Sequence, residues 1–220
     1  MVKELKVGIC VPCMGTVRVE FMRSLVALTS HFLQTKIPGY PANRYTLLTT
    51  QGSMLVQLRH NLVQSALKEK CTHILFLDSD MKFPKTILND LLAAKKDIIA
   101  ANCTTRSMPP EPVAHDLNGE RLYSNGRTGL QKVQQAGLAV CLINADIFRQ
   151  LRPPFFSMEW IPEYGAYCGE DVYFTQYVKE VLGTDVWVDH TVSRDIKHIG
   201  SMAYGHDQVE MPETSIKRVG

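Results

Sequence analysis

The sequence predicts a single α/β domain with a mostly parallel central sheet flanked by helices. Short apolar and β-branched runs alternate with stretches of helical periodicity along the chain. The run Ile98 to Ala101 is apolar on both faces, as expected for a central strand. The run at 73–77 ends abruptly in acidic residues. No repeat, low-complexity tract or linker is visible, and 220 residues with 45% hydrophobic content suit one globular domain.

The first half of the chain is predicted to contain four strands and three helices. In order, these are a strand at 7–11 that ends at Pro12, a helix at 18–33, a strand at 45–50, a helix at about 55–66, a strand at 73–77, a helix from Pro84 to about 94, and a strand at 98–101. The helix at 18–33 has a predicted buried stripe of Phe21, Met22, Leu25, Leu28 and Phe32. The strand at 45–50 is rich in β-branched residues, and proline suits the first position of a helix.

The second half is predicted to be less regular. The segment 102–112 contains Arg106 and three prolines and is a loop long enough to be functional. Two turn signals, Asn118-Gly119 and Asn125-Gly126, predict a small hairpin region at 117–131. The remaining predicted elements are a buried strand at 138–143, a helix at 146–151, a helix after Glu170 whose apolar stripe includes Phe174 and Val181, and a short strand at 196–200.

Composition excludes some classes of function. The formal net charge is +2 and no long block of Lys or Arg occurs, so composition does not require a partner such as nucleic acid or a membrane surface, and local basic patches stay open. No stretch approaches the roughly 20 apolar residues that span a bilayer, and the apolar run near the N-terminus is too short for a signal peptide. The six scattered cysteines are typical of reduced, buried thiols. We therefore expect a cytoplasmic protein.

The first candidate site is the sequence Asp78-Ser79-Asp80, which directly follows the apolar run at 73–77. Side chains alternate across a strand, so Asp78 and Asp80 are expected on the same side. Two converging carboxylates repel each other unless a cation neutralises them, and their hard oxygens suit Mg²⁺ or Mn²⁺, which could then bind a diphosphate. The alternative is a polar turn that caps the next helix.

A second acidic cluster, Gly169-Glu170-Asp171, directly precedes a predicted helix. Acidic residues in a first helical turn are stabilised by the helix dipole and need no catalytic role. The functional interpretation is that one of these carboxylates is a general base for a bound hydroxyl. The loop before it is rich in aromatic residues, which suit either stacking on sugar rings or burial in the core. These are Phe155, Phe156, Trp160, Tyr164 and Tyr167.

Two histidines near the C-terminus are candidate metal ligands. His198 lies in a short predicted strand that ends at Gly200, so its imidazole is expected to face the same cleft as Asp80. His190 is the second candidate, and spacing does not decide between the two. A single histidine is more often an ordinary core or surface residue.

These motifs, taken in order, resemble the family-2 type of GT-A-fold glycosyltransferases, most closely the short members without a membrane anchor found in bacteria and bacteriophages. The resemblance covers residues 5 to 205. It is carried by the strand that ends at Pro12, Arg59-x-Asn61 on a helix, the run that ends in Asp78-Ser79-Asp80, Gly169-Glu170-Asp171 and His198-Ile199-Gly200. It implies a nucleotide-binding half at about 1–101, an acceptor and catalytic half at about 102–205, and a tail at 206–220.

The resemblance also implies roles for individual residues. Pro12, Arg59, Asp78 and Ser79 would lie at the nucleotide, with Asp78 near the ribose. Asp80 and His198 would coordinate Mn²⁺ or Mg²⁺, with Asp78 as a further metal ligand. Asp171 would be the catalytic base, and Glu170 would hold a sugar beside it. The implied activity is an inverting transfer of a sugar from a nucleotide-sugar donor, with UDP the expected nucleotide.

Two other functions and several acceptors stay open at this stage. A sugar-phosphate nucleotidyltransferase shares the nucleotide-binding half, but Gly15-Thr16-Val17-Arg18 supplies only a fragment of its glycine-rich loop. A non-catalytic nucleotide-sugar-binding module is the third possibility. The acceptor hydroxyl can belong to a glycan, a protein, a lipid or a hydroxymethylated base in DNA. Basic residues available for DNA are Arg106, Arg121, Arg127, Lys132, Arg149 and Arg152.

Overall fold

The computed structural model describes residues 4–163, 165–200, 203–210 and 212. The elements of the first half are β1 (Leu5–Cys13), α1 (Val19–Gln34), β2 (Asn43–Gln51), α2 (Leu55–Lys68), β3 (His73–Leu77), β4 (Met81–Lys82), α3 (Ile87–Ala93) and β5 (Ile98–Ala100). Those of the second half are β6 (Leu130–Val133), β7 (Val140–Asn144), α4 (Ala145–Gln150), β8 (Trp160–Ile161), β9 (Ala166–Tyr167), α5 (Glu170–Leu182), β10 (Val186–Asp189), α6 (His190–Ser193), β11 (Lys197–Ile199) and β12 (Ala203–Tyr204), followed by a 3₁₀ turn (His206–Gln208).

Seven strands form the central sheet in the order β2-β1-β3-β7-β5-β10-β6. Strands β2, β1, β3, β5 and β10 run in one direction, whereas β7 and β6 run antiparallel to their neighbours. The predicted α/β architecture with a mostly parallel sheet flanked by helices is confirmed. Two small sheets, β12-β11-β4 and the β8-β9 hairpin, lie outside it.

The core consists of two apolar layers, one on each face of the sheet. Along β3, Ile74 and Phe76 belong to the layer that also holds buried side chains of α2, α4 and α5. Leu75 and Leu77 belong to the layer that holds buried side chains of α1 and α3. Because successive side chains of a strand point to opposite faces, a continuous apolar run is what a strand covered on both faces requires.

Some predicted boundaries and burial assignments are wrong. β1 does not end at Pro12 but continues to Cys13, because this end of the strand pairs with β2 alone, where a proline is tolerated. α3 begins at Ile87, after a turn in which the Ile87 amide donates to the Pro84 carbonyl at 3.2 Å. Met22 and Val181, both predicted to be buried, are exposed.

Outside the central sheet, β11 corresponds to the short strand predicted at 196–200, whereas β4, β8, β9 and β12 were not predicted. Each of the strands β4, β8, β9 and β12 is two residues long, which is too short for a detectable alternation of apolar and polar side chains. The predicted hairpin region at 117–131 contains a tight turn at Gly119, and its Arg121 forms an isolated bridge with His115. Regular strand structure begins only at β6. None of the helices in the described ranges is both long and apolar enough to cross a membrane.

Candidate functional site

The predicted site residues gather where the parallel strands end. Asp78 directly follows β3, and the 102–112 loop follows β5. β7 enters the sheet at the same edge, where the Asp78 amide donates to the Ala139 carbonyl at 2.9 Å. In open α/β sheets, ligands bind in the crevice beyond the carboxyl ends of the strands. The topology therefore places the acidic motif at the position where this class of fold binds ligands.

Arg59, on α2, is the centre of a buried ionic network. Its side chain is only 2% exposed, its Nη2 lies 3.0 and 3.2 Å from the two carboxylate oxygens of Asp78, and its Nε donates to Glu170 Oε1 at 3.1 Å. Its guanidinium also lies over the Phe76 ring, 5.1 Å from the centroid. Arg59 thereby joins the end of β3 to the start of α5. Its direct contact with a nucleotide stays a prediction.

The Arg59 network sets the protonation of its members. Burial alone would lower the pKa of Arg59, but Asp78 and Glu170 raise it above its ordinary value, so the guanidinium is charged. Burial raises the pKa of Asp78, although Arg59 opposes the shift. Since both oxygens of Asp78 already accept from Arg59, this carboxylate has a different environment from Asp80.

Asp80 and His198 are brought together by the pairing of two short strands. β4, which begins one residue after Asp80, pairs antiparallel with β11, so that Met81 lies opposite His198. The Ile199 amide donates to the Asp80 carbonyl at 2.7 Å. As a result, His198 Nε2 lies 3.3 Å from Asp80 Oδ2. The predicted proximity of these two side chains is seen in the structure, although it arises outside the central sheet.

Arg106 is a third member of this cluster that sequence analysis had not assigned to the site. It lies in the 102–112 loop, is half-exposed, and its Nη1 approaches Asp80 Oδ2 at 2.9 Å. Burial alone would raise the pKa of Asp80, but His198 and Arg106 hold it below its ordinary value. Asp80 is therefore an anion with two cationic or hydrogen-bonding partners. The only sequence signal for Arg106 was its position in a long loop after a central strand.

The chemistry of Asp80 and His198 fits a divalent metal. His198 Nδ1 lies 2.8 Å from the Thr104 carbonyl, which can only accept, so Nδ1 carries a proton. Burial alone would lower the pKa of His198, but the hydrogen bond from its Nε2 to Asp80 raises it. A metal held by Asp80 and His198 would take the place of the proton on Nε2, and a backbone carbonyl partner on Nδ1 is typical of metal-bound histidine. Within the described residues no three His, Cys, Asp or Glu side chains converge, so further ligands would be diphosphate oxygens or water.

Glu170 and Asp171 begin α5. Glu170 is held by Arg59, whereas Asp171 Oδ1 accepts from the Val172 amide at 2.8 Å. A Cβ at Gly169 would lie 2.6 Å from Asp171 Oδ1, so a side chain at this position would displace the Asp171 carboxylate. Burial, and then the charge of Glu170, raise the pKa of Asp171. The two neighbouring acids thus have different partners, one an arginine and the other a helix N-terminus.

His190 is excluded as a metal ligand by its environment. The residue is 3% exposed, its Nδ1 lies 2.9 Å from Ser124 Oγ, and its Nε2 lies 3.0 Å from Gln131 Oε1. Burial, then Arg127, lower its pKa to about 4, so the ring is neutral. Both ring nitrogens are used by the core, and the prediction of His190 as the second candidate ligand is wrong.

The other predicted residues lie at the same edge with less specific contacts. Pro12 is buried, whereas the loop at 14–18 that follows β1 is exposed. This loop is tied to the acidic motif because the Arg18 amide donates to the Ser79 carbonyl at 3.1 Å. The proposed nucleotide contacts of Pro12, Ser79 and Asp78 stay predictions.

The aromatic residues before α5 divide into two groups. Phe155 and Phe156 are buried and pack with Phe148, so they belong to the core. Trp160 and Tyr167 are exposed and pack against each other across the β8-β9 hairpin, with ring centroids 5.2 Å apart. Tyr164 lies outside the described residues.

Comparison with known proteins shows a partial match to a family model and a similar fold among solved structures. The Anp1 family model matches residues 43–150, about half of the chain. That region includes Arg59, Asp78, Asp80 and Arg106, but it ends before α5 and β11. No curated protein matches the sequence.

Among solved structures, the crystal structure of A197 from STIV is similar with a TM-score of 0.64 and 16% sequence identity. The match covers 93% of this chain and 92% of A197. At this identity the likeness establishes a shared fold over nearly the whole of both chains.

Proposed function

We propose that this protein is a metal-dependent inverting glycosyltransferase of the GT-A type that transfers a sugar from a nucleotide-sugar donor to an acceptor hydroxyl. The proposal rests on three side chains at one edge of the sheet: Asp80 and His198, a pair whose chemistry suits a divalent metal, and the partly buried Asp171, whose pKa is raised. The Anp1 family is linked to mannosyltransferases, which supports the same class of reaction.

The donor side of the site is built from Asp78, Asp80, Arg106 and His198. Asp80 and His198 would hold Mn²⁺ or Mg²⁺, and Arg106 adds a positive charge that can bind a phosphate oxygen. When bound, the metal supplies Lewis-acid stabilisation of the charge on the departing nucleoside diphosphate. Asp78, held by Arg59, remains available to the ribose through the exposed part of its side chain.

Asp171 is the group suited to proton removal. A general base works best when its pKa lies near the operating pH, and burial moves the pKa of Asp171 in that direction. Its Oδ1 is fixed by the Val172 amide, which leaves Oδ2 for the acceptor hydroxyl. Attack of that hydroxyl on the anomeric carbon, opposite the leaving diphosphate, inverts the configuration.

The test is release of nucleoside diphosphate from UDP-glucose, UDP-galactose, UDP-N-acetylglucosamine and GDP-mannose, each with and without Mn²⁺. We expect metal-stimulated release from one of them, and loss of that release in Asp80→Asn. Pyrophosphate formation from a nucleoside triphosphate and a sugar phosphate would indicate a nucleotidyltransferase instead. If a donor binds but no acceptor leads to its turnover, the protein is a binding module.

A further inference from the structure

A cavity of about 230 Å³ lies beside Asp171, between residues of the 102–112 loop and the chain that follows it, residues 135–136 and the start of α5. The side chains that matter to its chemistry are Thr105, Val113, His115, Arg121, Gln135 and Asp171. This volume is below the roughly 300–1,000 Å³ of pockets that take drug-sized ligands, so the cavity has room for one small ring.

Gly137 keeps the catalytic side of the cavity open. A Cβ at this position would lie 3.7 Å from Asp171 Oδ2 and 3.1 Å from Val113 Cγ1. Because Gly137 has no side chain, there is space next to Asp171 Oδ2, the carboxylate oxygen that does not accept from the Val172 amide. A hydroxyl that enters this space reaches the base directly.

The cavity offers neutral hydrogen-bonding groups. Gln135 Nε2 lies 2.6 Å from His115 Nδ1, which makes Nδ1 the acceptor and Nε2 the protonated nitrogen of His115. Partial burial, and then Arg121, lower the pKa of His115, so the ring is neutral. A hydrogen bond to the Val113 backbone already engages the His115 ring. The neutral polar group that the cavity offers to a hydroxyl is therefore the side-chain amide of Gln135.

The charges around the cavity do not favour an anionic acceptor. Arg121 forms an ion pair with Glu111 at 2.8 Å and donates to the Pro112 carbonyl at 2.9 Å, so its charge is compensated. Asp171 adds a negative charge. Elsewhere on the surface, Lys132 pairs with Asp185, and Arg149 pairs with Asp146. A nucleic-acid surface requires uncompensated cations along the phosphates, and the basic residues considered for DNA are mostly paired with carboxylates.

We propose that this cavity binds a neutral, hydroxyl-bearing ring of the size of one monosaccharide, so that the acceptor is a glycan rather than a hydroxymethylated base in DNA. The inference rests on the proposed function and specifies its acceptor. In the reaction, the acceptor oxygen forms a bond to the anomeric carbon and its proton passes to Asp171 Oδ2. The bond from the anomeric carbon to the diphosphate breaks, and its electron pair leaves with the diphosphate.

The experiment measures diphosphate release by the full chain with the donor identified above. The acceptor probes are methyl glycosides of mannose, glucose and galactose and, in parallel, a DNA duplex that contains 5-hydroxymethylcytosine. We expect a methyl glycoside to stimulate release and to be recovered as a disaccharide. Stimulation by the duplex alone would overturn the inference.

Two variants test the location of the acceptor. Gln135→Leu keeps the volume but removes the amide, and we expect the KM for the glycoside to rise about 3- to 10-fold, more than kcat falls. Gly137→Ala places a methyl group beside Asp171 and is expected to raise the same KM. Ala93→Val, at an exposed position at the end of α3, is the control and should leave the KM unchanged.

The outcomes distinguish failure of the acceptor site from failure of the proposed function. Suppose that diphosphate release by the wild type depends on a glycoside, while both cavity variants fold and keep the wild-type KM. That result would refute this cavity as the acceptor site and leave the proposed function standing. No release from any nucleotide sugar, with or without an acceptor, would refute the proposed function and the inference with it.

Discussion

Replacing Arg59 by leucine should destabilise the fold more than any exposed arginine replacement does. The substitution leaves the carboxylates of Asp78 and Glu170 without their shared cation, although both remain at the end of the sheet. Breaking a buried ion pair by removing one partner costs about 3–5 kcal/mol. Because the Asp78 side chain is 25% exposed and that of Glu170 is 12% exposed, water can solvate them in part. We therefore expect a loss at the lower end of that range, about 3 kcal/mol.

The stability lost in Arg59→Leu should depend on pH. In the wild type the pKa of Asp78 is raised by burial and lowered in part by Arg59. Without Arg59 that pKa rises further, so the folded variant binds protons more readily than its unfolded chain does. Stability of the variant therefore increases, relative to the wild type, as the pH falls from about 7 to about 5.

The assay is urea unfolding followed by circular dichroism at both pH values. The matched control is Arg44→Leu, which removes an exposed ion pair with Glu4 and should cost at most about 1 kcal/mol. Adding Asp78→Asn to Arg59→Leu should recover part of the lost stability. A loss in Arg59→Leu no larger than in Arg44→Leu, or one that is the same at both pH values, would refute the proposed buried network.

Three further outcomes are expected. Asp80→Asn should strongly reduce the tightening of nucleoside diphosphate binding by Mn²⁺ in calorimetric titration, because it replaces the anionic one of two protein ligands by a neutral amide; tightening equal to that of the wild type would contradict the metal site. Asp171→Asn should lower kcat by about 10²- to 10⁴-fold in the diphosphate-release assay, the usual contribution of a general base, and a loss below tenfold would argue against that role. The wild type should lose stability as the pH falls from 6.5 toward about 4, because unfolded His190 then binds a proton that the folded residue does not; the loss approaches about 3 kcal/mol. His190→Gln should flatten this slope in urea unfolding, and an unchanged slope would place the titration elsewhere.

The α/β class and the position of the acidic motif could be predicted because their signals are local. The run at 73–77 is apolar on both faces because both faces are covered, and it ends in Asp78 because the strand ends there. The helix at 55–66 and the acids of the first turn of α5 were likewise visible from spacing alone. Short-range patterns of this kind depend only on the periods of strands and helices.

Tertiary structure alone decided how the motifs combine. Arg59 meets Glu170 across 111 positions of sequence, and His198 reaches Thr104 across 94. The choice of His198 over His190 depends on the two-residue strand β4, which carries no periodic signal. β7 inserts antiparallel between β3 and β5, and this brings Gly137 beside Asp171. The sequence by itself determined which residues are chemically able to act, whereas long-range strand pairing and buried charge compensation decided which of them lie together.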